Sequence, residues 1–160
     1  MNIRIGQGID FHRLEPGRDL WLGGERIPSE LGCVAHSDGD VLLHAICDAL
    51  LGGAGLRDIG FHFPDSDQKY KNIRSTILLE ETFNLIQKEG FHVVNIDSTI
   101  CLEKPKIAPY SEKMRETISG ILKISPREVS VKATTTEKLG FTGREEGVVA
   151  IAVALLEKDF

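Results

Sequence analysis

The sequence lacks most features of a secreted, membrane-bound or nucleic-acid-binding protein. Its three cysteines, Cys33, Cys47 and Cys101, form no CxxC pair, so neither structural disulfides nor a thiolate zinc site is expected. No apolar run approaches the ~18–20 residues of a membrane span, and the first residues lack a signal-peptide stretch. Acidic residues outnumber basic ones by 24 to 19, which argues against a nucleic-acid partner. We predict a cytoplasmic protein whose cysteines serve only in packing.

The composition is that of a folded globular chain. Hydrophobic residues make up 41% of the sequence and charged residues 27%, which is typical of a globular rather than a disordered protein. At 160 residues, with no internal repeat and no low-complexity linker, one domain spanning residues 1–160 is predicted.

Alternation of apolar and polar residues predicts several strands. Residues 2–13 and a short segment at 19–22 have an extended pattern. Residues 92–103 alternate with period two, which places on one face Val94, Ile96, Ile100 and Leu102. Residues 129–133 alternate as well. Residues 148–156 are apolar at nearly every position, so we expect this strand to be buried on both faces.

Three segments have helical spacing. An apolar-rich helix is predicted over residues 39–54, with Ser37 or Asp38 as N-cap. Amphipathic helices are predicted over residues 72–89, ending at Gly90, and over residues 110–122. Ser125, Pro126 and Glu128 fit a capping box, which predicts a brief helical turn.

The order of these elements favours an α+β fold. Strands slightly outnumber helices and do not alternate with them regularly, so we predict a mixed β-sheet with helices layered on one face, in a ferredoxin-like arrangement. A last strand that is apolar on both faces suggests that a neighbouring subunit covers the other face of the sheet.

A metal site is the first chemical hypothesis. Asp10 and His12 are two residues apart on a strand, so both side chains point to one face. His44 lies in the apolar helix, and Asp40 and Asp48 stand four residues before and after it, where either carboxylate can hold its second ring nitrogen. Three ligands with an open fourth position suit a catalytic zinc. The alternatives are a polar turn at Asp10 and an ordinary core histidine at His44.

Two polar segments could contact a substrate. His36 either donates a hydrogen bond to a phosphate group or is a loop histidine without a role. Asp58–Gly60 and Phe63–Asp67 are either a turn-rich connection or a source of carboxylates for hydroxyl groups or a metal.

A third segment, residues 132–144, combines four threonines, two lysines, an arginine and two glycines. Such a loop offers backbone N–H groups, hydroxyls and cations to phosphate oxygens, although it is not a Walker A loop. Glu137 is an acid among these donors, and an acid near phosphate is costly unless a divalent cation lies between them. The alternative is a solvated hairpin loop.

Together these motifs resemble the 2-C-methyl-D-erythritol 2,4-cyclodiphosphate synthase family. The motifs are Asp10-x-His12, residues 36–40 with His44, residues 58–65, and residues 132–144, in that order over the whole chain. The last is the most specific. The family converts 4-diphosphocytidyl-2-C-methyl-D-erythritol 2-phosphate into the cyclodiphosphate with release of CMP, in the non-mevalonate route to isoprenoid precursors.

The resemblance implies a homotrimer with active sites between neighbouring subunits. It implies Zn²⁺, one per subunit, on Asp10, His12 and His44, and Mg²⁺ or Mn²⁺ held by Glu137 with substrate present. His36 and Thr135 would flank the transition state. Contacts to the cytidine-linked substrate are implied for Asp10, Phe11, His12, His36, Ser37, Asp58, Ile59, Gly60, Phe63, Pro64, Asp65, Ser66, Asp67, Leu102, Glu103, Lys104, Pro105, Lys106, Ile107, Ala108, Ala133, Thr134, Thr135, Thr136, Glu137, Phe141 and Arg144.

Three positions depart from the family pattern. Glu145 stands where a glycine is expected after Arg144, Tyr110 where histidine is frequent, and Phe11 where an aliphatic residue is usual. None is an implied metal ligand, so the departures affect only the expected shape of loops. Two rival functions are a nucleotide-sensing module without catalysis and a zinc-dependent phosphoesterase that releases inorganic phosphate.

Overall fold

A five-stranded mixed sheet organises the chain in the computed structural model, which describes residues 2–158. The strands are β1 Asn2–Pro16, β2 Leu20–Leu22, β3 Glu25–Ile27, β4 Leu31–Val34, β5 Phe91–Cys101, β6 Val129–Thr134 and β7 Gly147–Lys158. The order in the large sheet is β4-β1-β7-β5-β6, and only β5 and β6 run parallel. Strands β2 and β3 form a separate hairpin.

The helices are α1 Val41–Ala54, α2 Ile59–His62, α3 Ser75–Lys88, α4 Ser111–Leu122 and α5 Gly140–Gly143. The three long ones, α1, α3 and α4, cover one face of this sheet, whereas Phe141 in α5 contacts Phe11 on the other face. Short 3₁₀ turns span Gln68–Tyr70, Ala108–Tyr110 and Pro126–Glu128, and the last has the predicted capping box. Helix α1 packs on β1 and β7, α3 packs on α1 and β5, and α4 packs on β6. The predicted mixed α+β architecture with helices on one face is confirmed.

The ferredoxin-like arrangement is reproduced only in part. Strand β7 lies between β1 and β5, which makes one split β-α-β unit. Strands β5 and β6 are instead direct, parallel neighbours joined through α4, so the second unit is not split. Among the helices of residues 2–158, none combines the length and the apolar character that crossing a bilayer requires.

The beginning of α1 differs from the prediction. Its N-cap is Asp40, not Ser37 or Asp38. The buried carboxylate of Asp40 accepts hydrogen bonds from the N–H groups of Leu43, Gly23 and Gly24, so it caps the helix and fixes the β2–β3 turn against it. Burial raises the pKa of Asp40 to about 6 even though these N–H groups lower it.

The pattern of β5 was also predicted with one error. A register shift between Val93 and Asn95 interrupts the pairing of β5 with β7. As a result Val93 is buried and Val94 is only half-buried, whereas Ile96 and Ile100 face the core as predicted. A bulge inserts one residue and reverses the alternation, which a strict period of two cannot anticipate.

Two glycines in β1 let α1 approach the sheet closely. A Cβ atom added to Gly6 would lie 1.8 Å from the carbonyl oxygen of Ala49, and one added to Gly8 would lie 1.9 Å from that of Ala45. Any other residue at either position would therefore push the helix away. Because Asp10 and His12 continue the same face of β1, this contact brings them close to His44 on α1.

The opposite face of the sheet is apolar and open in the single chain. Ile5 is 72% exposed, Ile9 47% and Val153 40%, and within residues 2–158 no element covers them. Strand β7 therefore buries fully only the face that carries Val148, Ala150, Ala152, Ala154 and Leu156. The expectation that β7 is buried on both faces is wrong for the isolated chain.

Candidate metal and phosphate site

Three side chains from β1 and α1 form a compact cluster. Oδ2 of Asp10 lies 3.1 Å from Nδ1 of His44 and 3.2 Å from Nε2 of His12, and the two imidazole nitrogens are 3.2 Å apart. Ligands of a tetrahedral ion with bonds of ~2.0–2.1 Å are about 3.3 Å apart, so this nearly equilateral triangle has the dimensions of three metal ligands. Within residues 2–158, no other three His, Cys, Asp or Glu side chains lie close enough together to hold a metal ion.

The electrostatics of the two histidines differ. Burial lowers the pKa of His12, although the charge of Asp10 raises it in part. Burial also lowers the pKa of His44, but the hydrogen bond and charge of Asp10 outweigh it, so the pKa of His44 is raised. In the metal-free chain a proton on His44 is therefore the competitor of a metal ion.

The predicted carboxylate partners of His44 are wrong. Asp40 is the cap of α1, and Oδ1 of Asp48 accepts a hydrogen bond from Ile59 N at 2.7 Å. The second ring nitrogen of His44 instead lies 2.9 Å from the hydroxyl of Ser75 and 3.2 Å from that of Ser37. The error arose because shared spacing along a helix does not distinguish a side chain that caps a neighbouring segment from one that contacts the histidine.

A cavity of about 370 Å³ opens beside the three ligands. Of the residues predicted to contact a substrate, its lining includes Asp10, His12, His36, Ser37, Ile59, Gly60, Phe63 and Asp65. Nε2 of His36 is buried and has no hydrogen-bond partner. A polar atom of this kind is costly unless a ligand completes it.

Other residues of the predicted erythritol segments have structural contacts instead. The carboxylate of Asp58 caps α2 by accepting from Phe61 N at 2.8 Å, and that of Asp67 caps the following 3₁₀ turn by accepting from Lys69 N at 2.9 Å. Pro64 and Ser66 do not line the cavity. Tyr70 and Ile73 also line the cavity, although no sequence motif indicated them; both follow the predicted loop closely in the chain.

The phosphate loop, residues 132–144, follows β6 and is mostly exposed. Glu137 and Lys138 have positive φ angles of 53° and 63°, which turn the chain sharply. The carboxylate of Glu137 is exposed and contacts the hydroxyl of Thr135 at 3.3 Å. Lys132, proposed from the sequence as a partner of phosphate, is instead bonded to Asp97 at 2.8 Å.

The structure brings residues 102–108 against this loop. Oε1 of Glu103 accepts hydrogen bonds from the N–H groups of Thr136 and Lys138, both at 3.2 Å. Nζ of Lys104 lies 2.9 Å from Oε1 of Glu145. Two segments predicted separately to hold the nucleotide thus form one surface.

The metal cluster and the phosphate loop lie at the same end of the sheet but are separated across it. Asp10 is paired with Ala150, Ala150 with Ile100, and Ile100 with Ala133. Three strand spacings of ~4.7–4.9 Å place the two backbones about 14 Å apart. In one chain, Glu137 is therefore not part of the three-ligand cluster.

The departures from the family pattern have clear locations. Phe11 lies on the open face of the sheet, and its ring centroid is 6.2 Å from that of Phe141. Glu145 has a φ of 60°, which explains why glycine is the expected residue there. Tyr110 is half-buried at the start of α4.

None of the three cysteines is among the residues of the metal cluster or the phosphate loop, although Cys101 pairs with Thr134 in the sheet. Cys33 and Cys47 are buried, and burial raises the pKa of each thiol to about 12. Burial also raises the pKa of the partly exposed Cys101. Because thiolates are the reactive form, these values fit the predicted packing role.

Comparison with known proteins identifies the family. The profile of the YgbB family matches residues 3–157. The chain belongs to the YgbB family. A relative from Bacteroides thetaiotaomicron, named 2-C-methyl-D-erythritol 2,4-cyclodiphosphate synthase, is 56% identical over 99% of this chain and 100% of its own length. Another with the same name, from Desulfatibacillum aliphaticivorans, is 59% identical over 97% of this chain and 100% of its own.

A solved structure extends the similarity to three dimensions. The structure of 2C-methyl-D-erythritol-2,4-cyclodiphosphate synthase in its CDP-bound form superposes with a TM-score of 0.89 at 38% identity, covering 96% of this chain and 100% of that one. The family resemblance inferred from four sequence motifs is thus confirmed over nearly the whole of this chain.

Proposed function

We propose that this chain is a phosphorus–oxygen lyase that converts 4-diphosphocytidyl-2-C-methyl-D-erythritol 2-phosphate into 2-C-methyl-D-erythritol 2,4-cyclodiphosphate and CMP. Residues 1–160 act as one cyclodiphosphate synthase domain. The observation that carries the proposal is the triangle of Asp10, His12 and His44 beside a cavity, in a member of this family. The YgbB relatives named for the same reaction support it.

Asp10, His12 and His44 would hold one Zn²⁺ per subunit. Two imidazoles and one carboxylate are a mixed nitrogen and oxygen set that suits zinc, and their 3.1–3.2 Å separations fit a tetrahedral ion. When bound, zinc supplies positive charge that neutralises phosphate oxygens and leaves a fourth position open.

The residues of the cavity would hold the methylerythritol phosphate. The unpartnered Nε2 of His36 has the chemistry of a donor to a phosphate oxygen. Ser37, Ile59, Gly60, Phe63 and Asp65 line the same space and would hold the sugar. Asp58, Pro64, Ser66 and Asp67 would shape the loops around it, and His36 would flank the transition state from this side.

The surface formed by residues 102–108 and the phosphate loop would hold the cytidine diphosphate. Backbone N–H groups and hydroxyls of Ala133 to Thr135 are suited to phosphate oxygens, and Thr135 would flank the transition state opposite His36. Thr136, whose N–H donates to Glu103 and whose hydroxyl donates to Leu139 O, would contact the substrate from this position in the loop. The exposed carboxylate of Glu137 would bind Mg²⁺ or Mn²⁺, with phosphate oxygens and water completing the sphere. Phe141 and Arg144 would complete the loop.

The reaction does not require a strong general base or general acid. A phosphate monoester has a second pKa of about 6, so the 2-phosphate is already ionised at neutral pH. Its oxygen attacks the β-phosphorus, the bond from that phosphorus to the oxygen of the α-phosphate breaks, and CMP leaves with the electron pair. Alignment of two phosphates and neutralisation of their charge supply the catalysis.

The active site would lie between subunits of a homotrimer. Within one chain the backbones of Asp10 and Ala133 are about 14 Å apart, so the metal cluster of one subunit would face the nucleotide surface of its neighbour. The open sheet face with Ile5, Ile9 and Val153 offers apolar area for that association. No membrane or nucleic acid is a partner in this proposal, and the reaction would take place in the cytoplasm.

Phosphorus NMR of the purified chain with the diphosphocytidyl substrate and magnesium tests the function. Formation of CMP and a cyclic diphosphate in equal amounts is expected. Release of inorganic phosphate would instead indicate the phosphoesterase, and binding without turnover would indicate the nucleotide-sensing module.

Sedimentation tests the assembly. We expect a trimer for the wild-type chain and dissociation in Ile5→Asp, since this change places a charge on the open face. The control Ile77→Asp alters a residue that is 44% exposed on α3, away from that face, and should remain trimeric. A stable and active monomer would contradict the proposal.

A further inference from the structure

The hydroxyl of Ser75 lies behind the metal cluster, between His44 and Asp38. Ser75 is the first residue of α3 and is fully buried. Its Oγ is 2.9 Å from Nε2 of His44 and also contacts Oδ1 of Asp38. We propose that Ser75, held by Asp38, is a positioning residue that accepts a hydrogen bond from Nε2 of His44 and so keeps Nδ1 turned toward the metal cluster. The proposal deepens the function above and rests on its assignment of His44 as a metal ligand.

The surroundings of Asp38 determine the direction of the first hydrogen bond. Oδ1 of Asp38 accepts from Asp40 N at 3.2 Å, and Oδ2 accepts from Ser75 N at 2.9 Å. Nε of Arg74 forms an ion pair with Oδ2 at 3.2 Å. Every group around this carboxylate is a donor, so the carboxylate only accepts. The single hydroxyl proton of Ser75 must therefore point to Asp38.

The state of His44 follows from this assignment. Because the Ser75 hydroxyl donates its one hydrogen bond to Asp38, its oxygen can only accept a hydrogen bond from Nε2 of His44. The Ser37 hydroxyl, 3.2 Å from Nε2, accepts a hydrogen bond from Gly39 N and offers a second acceptor on the same side. Nδ1 of His44 faces Asp10 and His12, and in the metal-free chain Oδ2 of Asp10, 3.1 Å away, competes for the one N–H proton of a neutral imidazole. A metal ion on Nδ1 would leave that proton on Nε2, where the Ser75 oxygen accepts it.

The relay is anchored by three separate segments. Asp38 N donates to Ile73 O at 3.0 Å, which joins the loop before α1 to the start of α3. The guanidinium of Arg74 stacks on the ring of Trp21 at 3.7 Å and donates to Gly24 O at 3.2 Å. His44, Ser75 and Asp38 thus form a largely buried chain that ends at the partly exposed Arg74, and each group is held from at least two sides. Partners behind a ligating histidine typically change metal affinity by ~10–100-fold when removed.

The test compares Ser75→Ala with a matched serine. Ser98 is also buried, and its hydroxyl donates to Ser130 O at 2.7 Å in the sheet, so Ser98→Ala removes a comparable hydrogen bond away from the cluster. Zinc dissociation constants are measured by competition with a chelator. Nitrogen-15 spectra of the histidine rings are recorded on the zinc-loaded proteins, and the exchange of the ring N–H proton of His44 with water is followed in the same samples.

In the wild-type chain we expect His44 with its proton on Nε2. Ser75→Ala should give a ~10–100-fold weaker zinc affinity and faster exchange of the Nε2 proton with water, whereas Ser98→Ala should change neither. Ser75→Thr keeps the hydroxyl and should retain the wild-type affinity and exchange. A wild-type spectrum with the proton on Nδ1 would overturn the proposal without any variant, as would unchanged exchange and affinity in folded Ser75→Ala.

His44→Ala separates this proposal from the one on which it rests. Loss of zinc in His44→Ala with unchanged affinity in Ser75→Ala would refute only the relay. Retention of zinc in His44→Ala would overturn the metal site itself.

Discussion

The metal cluster and the phosphate loop are built in opposite ways. Asp10, His12 and His44 have side chains that are 27%, 16% and 12% exposed, and they sit on a strand and a helix in close contact. The phosphate loop is mostly exposed, turns through two residues with positive φ, and connects to its surroundings through surface contacts. The first half is preorganised within a single chain. The second half needs a ligand, a cation and a neighbouring subunit to be complete.

Removal of a ligand from the preorganised half should have the largest effect. In His44→Ala we expect zinc content to fall from about one ion per chain to near zero, because two remaining ligands do not make a structural or catalytic zinc site. Turnover should fall by more than the ~10²–10³-fold typical of losing one charge-stabilising group. Zinc analysis after dialysis measures the first effect and the phosphorus NMR assay the second.

His92→Ala is the control for this change. His92 lies at the start of β5, in an ion pair with Glu157 at 3.4 Å, so its replacement should leave zinc content unchanged. Full zinc occupancy in His44→Ala would disprove the assignment of the cluster.

Removal of the charge of Glu137 from the phosphate loop should reduce activity without affecting the metal cluster. Glu137→Gln keeps the shape of the side chain but removes the charge that attracts the second cation. We expect a ~10²–10³-fold loss of turnover, partly restored at high magnesium or manganese, with normal zinc content.

Glu80→Gln, at an exposed position on α3, is the matched control and should be fully active. If Glu137→Gln had normal turnover at low magnesium, its carboxylate would have no role in cation binding. If it lost zinc, the two halves would not be independent.

The contact that preorganises the metal cluster can be disturbed without touching a ligand. In Gly8→Ala the new Cβ would meet the carbonyl of Ala45 at 1.9 Å, so α1 and His44 must move. Overpacking of this kind costs ~1–3 kcal/mol, and we expect weaker zinc binding as well. Thermal or denaturant unfolding measures the first effect and chelator competition the second.

The control at another glycine should have the opposite sign. A Cβ at Gly120 meets no atom within 4 Å, and this residue lies inside α4. Gly120→Ala should therefore stabilise the chain by ~0.5–1 kcal/mol without changing zinc affinity. A wild-type zinc affinity in Gly8→Ala would show that the close contact of α1 with β1 does not position His44.

The same contrast explains which parts of the site could be predicted from the sequence. The metal ligands were predictable because period two puts Asp10 and His12 on one face and because His44 stands out in an apolar helix. The partners of His44 were not, because Ser75 is 31 residues away from it and no spacing relates the two. The bulge near Val94 was missed because it depends on the pairing of β5 with β7, which local pattern does not contain. The cap of α1 is a local contact of Asp40 with Leu43 N, but Ser37, Asp38 and Asp40 are all good capping residues, and the bonds that hold Asp40 in place come from the distant Gly23 and Gly24. The mixed sheet and its helical face followed from local patterns alone.

The smallest expected effect concerns the surface contacts of the phosphate loop. Lys132, where the loop begins, is bonded to Asp97 on the neighbouring strand, and both side chains are about half exposed, at 54% and 48%. The hydrogen bond from Lys132 holds the pKa of Asp97 below its ordinary value.

A carboxyl group with a lowered folded-state pKa contributes stability above its unfolded pKa of ~3.9 and loses it as the pH falls through the folded-state value. For an exposed pair this contribution is ~0.2–1 kcal/mol and is screened by salt. Asp97→Asn should therefore be less stable than the wild type at pH ~7 by that amount. The difference should disappear once the pH is well below the folded-state pKa of Asp97, and it should shrink in ~1 M salt. Denaturant unfolding at pH ~7 and in acid measures the difference. A gap that persists in acid would mean that Asp97 acts through packing and not through its charge, and the phosphate loop would then be held more rigidly than its exposed contacts indicate.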